Sequence, residues 1–289
     1  MFSFIKTARI GATALALGGA ALAAHAGPYT VAGATQSLIS QSGDWAWDGA
    51  YLTGFRAALE NPANFGPAGT VNRTIQTVNL NAVNAGTLAG ANMFVGTWIA
   101  DPQAAPISAA VTSFFLGGGD LFLLQDGSDH DGLGEALGLV TSQSTGSDSN
   151  GGAPLFDGPF GLAHDVKQLY QVGKLDAAAI TLHHGHVGGV NADGEVTSAF
   201  WKAGEYAAGA GAMFIIADID MIATTTGCGT PVCGASYAPL NDNGIYALNT
   251  FSFLQNNGGT PPVPEPGTYA LMFAGLGVVG FMARRHRRA

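Results

Sequence analysis

Side chains able to do chemistry gather in three short stretches. The segment Gln125-Asp126-Gly127-Ser128-Asp129-His130-Asp131, with Glu135 beyond it, places four carboxylates within ten residues, and Asp148 and Asn150 follow in the same connection. Hard oxygen donors on a glycine-rich loop suit Ca²⁺, although the spacing lacks the bidentate Glu at position twelve of an EF-hand. A solvated acidic loop is the plainer reading. The second stretch, His183-His184-Gly185-His186, offers three imidazoles in four residues. In an extended chain His184 and His186 share a face and suit a transition metal, or they cap a strand end without one. The third, Asp218 and Asp220, ends an apolar run as ligand-facing carboxylates or as turn caps. Ser128 offers a hydroxyl nucleophile with His183, His184 or His186 as base, but no G-x-S-x-G elbow surrounds it. Trp45, Trp47, Tyr51 and Trp201 are the candidates for stacking on sugar rings, with burial as the competing use of the first two.

The elements around these residues read as alternating strands and helices. In residues 106–119, Pro106 opens a helix with Ile107, Ala110, Val111, Phe114 and Phe115 on one face, stopped by three glycines. The run 121–124 (LFLL) then reads as a strand buried on both faces, as does 93–99 before the helix. Strand, helix, strand predicts a right-handed crossover in a parallel sheet. Further inner strands are expected at 177–183 and 212–218, shorter ones at 74–80 and at the edge in 29–31, and helices at 44–61, 134–139, 165–172 and 243–256. Residues 141–152, rich in Ser, Gly and Asp, are expected to be exposed. The three chemical stretches then share a strand-end rim, where open α/β sheets bind ligands.

Both chain ends read as addresses. Lys6 and Arg9 precede an apolar run closed by Ala24-His25-Ala26, a secretory signal peptide over residues 1–26. At the other end Pro264-Glu265-Pro266 precedes an uncharged apolar run over 268–283, followed by Arg284, Arg285, Arg287 and Arg288. A helix of that length reaches roughly 24 Å against a hydrocarbon core of about 30 Å, a marginal span, and the arginines hold its end on the cytoplasmic side. Between the ends the body keeps five Lys and Arg against nineteen Asp and Glu, a net charge of −14, which disfavours nucleic acid and anionic lipid. Divalent cations or neutral glycans fit better. Cys228 and Cys233 are the whole cysteine content. Export favours a disulfide between them, and a zinc half-site is the rival reading.

The C-terminal residues resemble the PEP-CTERM sorting signal of Gram-negative bacteria: Pro264-Glu265-Pro266, a short helix containing Gly275, Gly277 and Gly280, and a terminal arginine cluster. The resemblance implies recognition by an exosortase, removal of the tail, and passage from the inner membrane to the cell surface or its polysaccharide matrix. A plain single-pass anchor is the alternative. The body, through 93–126, PLFDGPFG at 154–161, FIIADIDM at 214–221 and NDNGIYALNTFSFL at 241–254, is similar to a non-catalytic branch of the class I glutamine amidotransferase-like superfamily. That resemblance implies a flavodoxin-like sheet order. An amidotransferase needs a cysteine on the turn after an inner strand, and the matching turn, residues 125–129, has none.

The expected protein is α/β, a flavodoxin-like three-layer sandwich with a mainly parallel sheet over residues 27–257, a linker at 258–262, and a sorting signal with its membrane helix at 263–289. Its expected partners are signal peptidase and exosortase, the inner membrane in transit, and extracellular polysaccharide, with no nucleic acid. A hydrolase or Ca²⁺ module at Asp126, Ser128 and His183 is the alternative to a non-catalytic binding or structural body. In a host with a matching exosortase, mass spectrometry of the mature protein is expected to recover no peptide from residues 273–282. Thiol labelling of the unreduced, unfolded protein is expected to find neither cysteine free.

Overall fold

A computed structural model of the chain describes residues 27–39, 43–127, 129–144, 148–167, 173–222 and 241–258. The expected signal peptide, Ser128, the Cys228 and Cys233 loop and the sorting tail lie outside the described residues. Among the described residues no helix is long and apolar enough to cross a membrane.

Leu121 to Leu124 set the plan, because every one of them is buried and they face alternately to two sides. Leu121 and Leu123 join a cluster with Phe94, Ile107, Val111, Phe115 and Met213. Phe122 and Leu124 join another with Val31, Phe55, Val95, Phe214 and Phe251. A strand with both faces apolar must lie between two layers of helices.

In chain order the elements are β1 (Tyr29–Ala34), α1 (Thr53–Glu60), β2 (Ile75–Leu80), α2 (Ala85–Leu88), β3 (Met93–Thr97), α3 (Asp101–Leu116), β4 (Asp120–Leu124), α4 (Gly132–Glu135), β5 (Thr141–Gln143), β6 (Asp157–Gly158), β7 (Gly161–Leu162), β8 (Gly173–Leu175), α5 (Ala177–Leu182), β9 (His186–Val190), β10 (Val196–Trp201), β11 (Met213–Ile216) and α6 (Asp242–Asn257). The main sheet runs β2-β1-β3-β4-β11-β10-β8-β5, with β9 also on β10. From β2 to β11 every neighbour is parallel, and the parallel strands alone fall in the flavodoxin-like order 2-1-3-4-5. Beyond β11 the pairings are antiparallel. Helices α1 and α6 cover one face through Phe55, Leu59, Tyr246 and Phe251, and α3 covers the other through Ile107, Val111 and Phe115.

The amino edge of the parallel strands is tied by one buried carboxylate. Asp120 accepts from the Tyr29 hydroxyl at 2.5 Å and from the Ala212 N–H at 2.8 Å. The Arg73 guanidinium lies 4.5 Å over the Tyr29 ring. Burial, and then the Asp120 charge, hold the Tyr29 hydroxyl well above its ordinary range.

Several expectations need correction. Residues 177–182 form helix α5, not an inner strand: Asp176 caps it by accepting the Ala178 N–H at 2.8 Å, and three alanines favour the helix once it is capped. β1 is no edge strand, since it pairs with both β2 and β3. The expected helix at 44–61 is broken into 3₁₀ turns at Gly43–Trp45 and Ala50–Leu52 before α1. Pro106 lies inside α3, which begins at Asp101 with Pro102 in its first turn. The short helix after the acidic loop is α4, earlier than expected. Val166 bridges Ser149, so the described part of 165–172 is extended. Thr141 and Ser149 are buried within a segment expected to be exposed.

The Phe251 ring meets Phe65, Tyr29, Phe122 and Phe55 with centroids 5.7, 6.1, 6.3 and 6.4 Å away. Phe251→Ala is expected to cost about 3–5 kcal/mol, read as a lowered denaturant midpoint at unchanged slope. Phe114→Ala, at a half-buried position on the opposite face, is expected to cost clearly less.

Candidate functional site

In a sheet of this order the strand connections diverge at the carboxyl edge between β1 and β3, opening a crevice there. The chain leaves β3 at Trp98, whose φ of 31° is a conformation that bulky residues rarely adopt. Its N–H donates to the Leu124 carbonyl at 3.0 Å, which fixes the turn against the end of β4. The indole then lies flat on the His130 ring, with centroids 3.9 Å apart and planes 1° from parallel. Trp45 stands 6.1 Å from Trp98 and 4.3 Å from Tyr51. Trp45, Tyr51, Trp98 and His130 thus form one ring cluster at this edge, with Tyr51 and His130 buried and the two indoles half-buried.

Its acidic side comes from β4 and β11. Asp126 follows β4 and is buried, and its Oδ1 has no protein partner among the described residues. Burial above all, and then the charge of Asp220, push its carboxyl up to about 8. The nearby Trp98 indole N–H offsets part of this without making a hydrogen bond of good geometry. Asp220 is itself pushed up to about 7 by burial. Tyr51 belongs to the same environment, since its hydroxyl is raised by burial and then by the charges of Asp44 and Asp220. Asp218 accepts the Asp220 N–H at 2.7 Å and so caps the turn that aims Asp220. His130 Nδ1 lies 2.9 Å from Asp129 Oδ1; with the proton on Nδ1, the buried Nε2 is an acceptor, and it has no partner among the described residues.

A second acidic group lies beside this one. Asp101, Asp131 and Glu135 bring carboxylate oxygens within 4.8 Å of one another. Asp101 accepts from the N–H groups of Asp131 and Gly132 at 3.2 and 2.9 Å, and Asp131 accepts from the Thr141 N–H at 2.6 Å. Burial raises the Asp131 carboxyl against these hydrogen bonds, and the Asp131 charge raises Glu135. Of the residues expected to ligate a cation, Asp131 and Glu135 come together, with Asp101 in place of Asp126 and Asp129. Asp129 is exposed and turned to His130.

The histidines do not share the rim. With 177–182 helical, His186 begins a strand instead of following one, and β9 starts opposite Phe200 near the amino edge. His183 stacks on Tyr206 at 4.7 Å, and Tyr206 packs on Phe115 at the end of α3, again at the amino edge. His184 stands in a left-handed turn, φ 61°, so it and His186 are not alternate residues of one strand. The histidines thus stand at the other edge from Asp126, and Ser128, the nucleophile expected to use one of them as base, lies outside the described residues. Of the stacking candidates, Trp47 and Trp201 are wholly buried, Trp47 against Gly33, where a Cβ would meet the ring at 2.3 Å. Sequence reasoning missed Trp98 and His130. A bulky aromatic directly after an inner strand was the available signal for the first, and nothing local pointed to the second.

Residues 262–288 match the PEP-CTERM protein-sorting motif. The chain is thereby an exosortase-targeted, exported protein that crosses the membrane and becomes surface-associated. No curated protein matches it. Among solved structures it is similar to the cytoplasmic protein STM3548 of Salmonella typhimurium, at 11% identity over 73% of this chain and 88% of that one, TM-score 0.45. It is also similar to the mmIFT52 N-terminal domain, at 13% identity over 64% and 85%, TM-score 0.41. The cytoplasmic protein STM1381 of Salmonella typhimurium LT2 matches at 12% identity over 64% and 82%, TM-score 0.42. Values this low assign the body neither a family nor an activity.

A carboxyl raised on folding stabilises the protein below its unfolded pKa and loses that contribution as pH rises through the folded value. With Asp126 at about 8 and Asp220 at about 7, stability is expected to fall between about pH 4 and 8. Asp126→Asn is expected to flatten that fall in a series of thermal melts.

Proposed function

We propose that the exported body is a non-catalytic, amidotransferase-like binding domain of the extracellular polymer, and that its carboxyl-edge crevice takes a neutral glycan. The observation that supports this best is the pair of buried atoms without partners among the described residues, Asp126 Oδ1 and His130 Nε2, beside the half-buried indoles of Trp98 and Trp45. Sugar hydroxyls satisfy such acceptors, and sugar C–H faces lie on aromatic rings. A negative body repels polyanions, which favours an uncharged chain. The turn after β4 lacks the cysteine of an amidotransferase, so covalent glutamine chemistry has no nucleophile there.

A second reading, a Ca²⁺-dependent module, is favoured by one observation, the convergence of Asp101, Asp131 and Glu135. Hard oxygen donors in a partly buried group suit that ion.

Isothermal titration with neutral matrix oligosaccharides separates the two. On the first reading wild-type protein binds without Ca²⁺, Trp98→Ala and Asp126→Asn each weaken binding at least tenfold, and Asp131→Asn does not. Binding that requires Ca²⁺ and is lost in Asp131→Asn assigns the function to the second reading. Absence of binding with and without Ca²⁺ refutes both.

A further inference from the structure

The group of Asp101, Asp131 and Glu135 holds more than a convergence of charge. Asp101 opens α3, Asp131 precedes α4, Glu135 ends it, and Thr141 starts β5, so distant stretches of chain meet here. Two of the three carboxylates are already aimed by the backbone. Asp101 uses Oδ1 to accept from the N–H groups of Asp131 and Gly132, and Asp131 uses Oδ2 to accept from the N–H and the hydroxyl of Thr141, at 2.6 and 3.0 Å. With Oδ2 held by Thr141, Oδ1 is the oxygen that Asp131 has left to offer. The residue is wholly buried, and this atom has no partner among the described residues. A buried carboxylate oxygen without a donor costs desolvation free energy unless a ligand supplies the missing contact. Glu135 is exposed and closes the group from the solvent side.

The ion pairs among the described residues all lie elsewhere, so none of them neutralises these three charges. The donor set then decides the chemistry of a neutralising ligand. It is all oxygen, with neither His nor Cys: His130, next in sequence to Asp131, has Nδ1 on Asp129 and its ring flat on Trp98. Hard divalent cations take such donors, whereas softer ions ask for nitrogen or sulfur. Ca²⁺ fits better than Mg²⁺, because it accepts about six to eight oxygens in irregular arrangement, a bidentate glutamate and waters included, while Mg²⁺ demands a near-ideal octahedron.

We propose that one Ca²⁺ binds between Asp101, Asp131 and Glu135 as a structural staple, joining the start of α3 to α4 and β5, and that it is taken up once the chain has been exported. Extracellular Ca²⁺ modules hold the ion with a Kd of about 10⁻⁴–10⁻³ M, so the staple adds stability in the compartment to which the sorting motif sends the chain. The proposal rests on the donor set of the second functional reading but not on that reading itself. Asp126 and Trp98 are not among the ligands, and the staple holds the fold whether or not glycan binding needs the ion.

Calorimetric titration of CaCl₂ into the chelator-treated, detergent-solubilised full chain, with no glycan present, tests the site. A saturable heat is expected, and thermal melts at ten times the Kd so measured are expected to rise by about 3–6 °C. Asp131→Asn is expected to abolish both. Glu135→Gln is expected to weaken binding at least tenfold without lowering the melting of the calcium-free protein, because it removes a charge that Asp131 repels. Asp193→Asn, an exposed acid elsewhere, is expected to change neither. No heat and no rise at about 10 mM CaCl₂, tenfold above the range of such modules, overturns the proposal. So does a rise that KCl of equal ionic strength reproduces or that Glu135→Gln retains, which assigns the effect to screening of a body of net charge −14. Calcium-independent glycan binding beside an intact calcium-dependent rise refutes the second functional reading and supports the staple.

Discussion

Everything in this body depends on a parallel sheet that is apolar on both faces. Once Leu121, Leu123, Phe122 and Leu124 point into two cores, polar function is confined to the two edges. The edges then differ in how they satisfy charge. At the amino edge Asp120 accepts from Tyr29 and Ala212, with Arg73 over the Tyr29 ring. At the carboxyl edge Asp126 and Asp220 are buried near each other, and none of the ion pairs formed by the body's lysines reaches them. Desolvation raises both carboxyls, and at Asp126 the charge of Asp220 adds to it. A carboxyl that is neutral near pH 7 can donate as well as accept, which suits hydroxyl ligands better than metal ions.

The geometry around Trp98 follows from the same confinement. The chain must turn sharply between the end of β3 and the start of α3, and the positive φ of Trp98 makes that turn while bonding its N–H to Leu124. A backbone held in a sparse conformation needs a surrounding structure that overdetermines it. Stacking of His130 on the indole provides one such constraint, and the helix that begins at Asp101 another, since Asp101 also accepts the N–H groups that open α4.

How much of this could be read from residues alone depends on the range of the interaction. The βαβ unit of β3, α3 and β4 was legible because its signals are local: an apolar helix face, three glycines, an all-apolar strand. Gly119 also has a tertiary reason, since a Cβ there would meet the Phe114 ring at 2.3 Å. Residues 177–182 were misread because a short apolar run has no period of its own, and the deciding signal was the Asp176 cap. That one error moved three histidines to the wrong edge, because it turned the start of β9 into the end of a strand. Asp126 and Asp220 were legible as strand-end carboxylates. Their neighbours Trp98, His130 and Asp101 were not, because a ring stack and a carboxylate meeting across about thirty residues are products of the fold.

The two edges also order the chain's traffic. The described body begins next to Tyr29 and ends at Gly258, and both positions adjoin Asp120: Tyr29 donates to it, and a Cβ on Gly258 would come within 2.1 Å of its Oδ2. Entry and exit are thus on the amino edge, together with a groove lined by Phe200, Lys202 and Phe253. A tail that tethers this chain during sorting pulls on that edge, while the crevice of Trp98, Asp126 and Asp220 opens at the far end of the strands. Strand direction alone produces this separation, since α6 runs antiparallel to β4 and β11 and must deliver its last turn where they start. On the proposed reading, a ligand at the carboxyl edge and processing of the tail at the amino edge use separate surfaces.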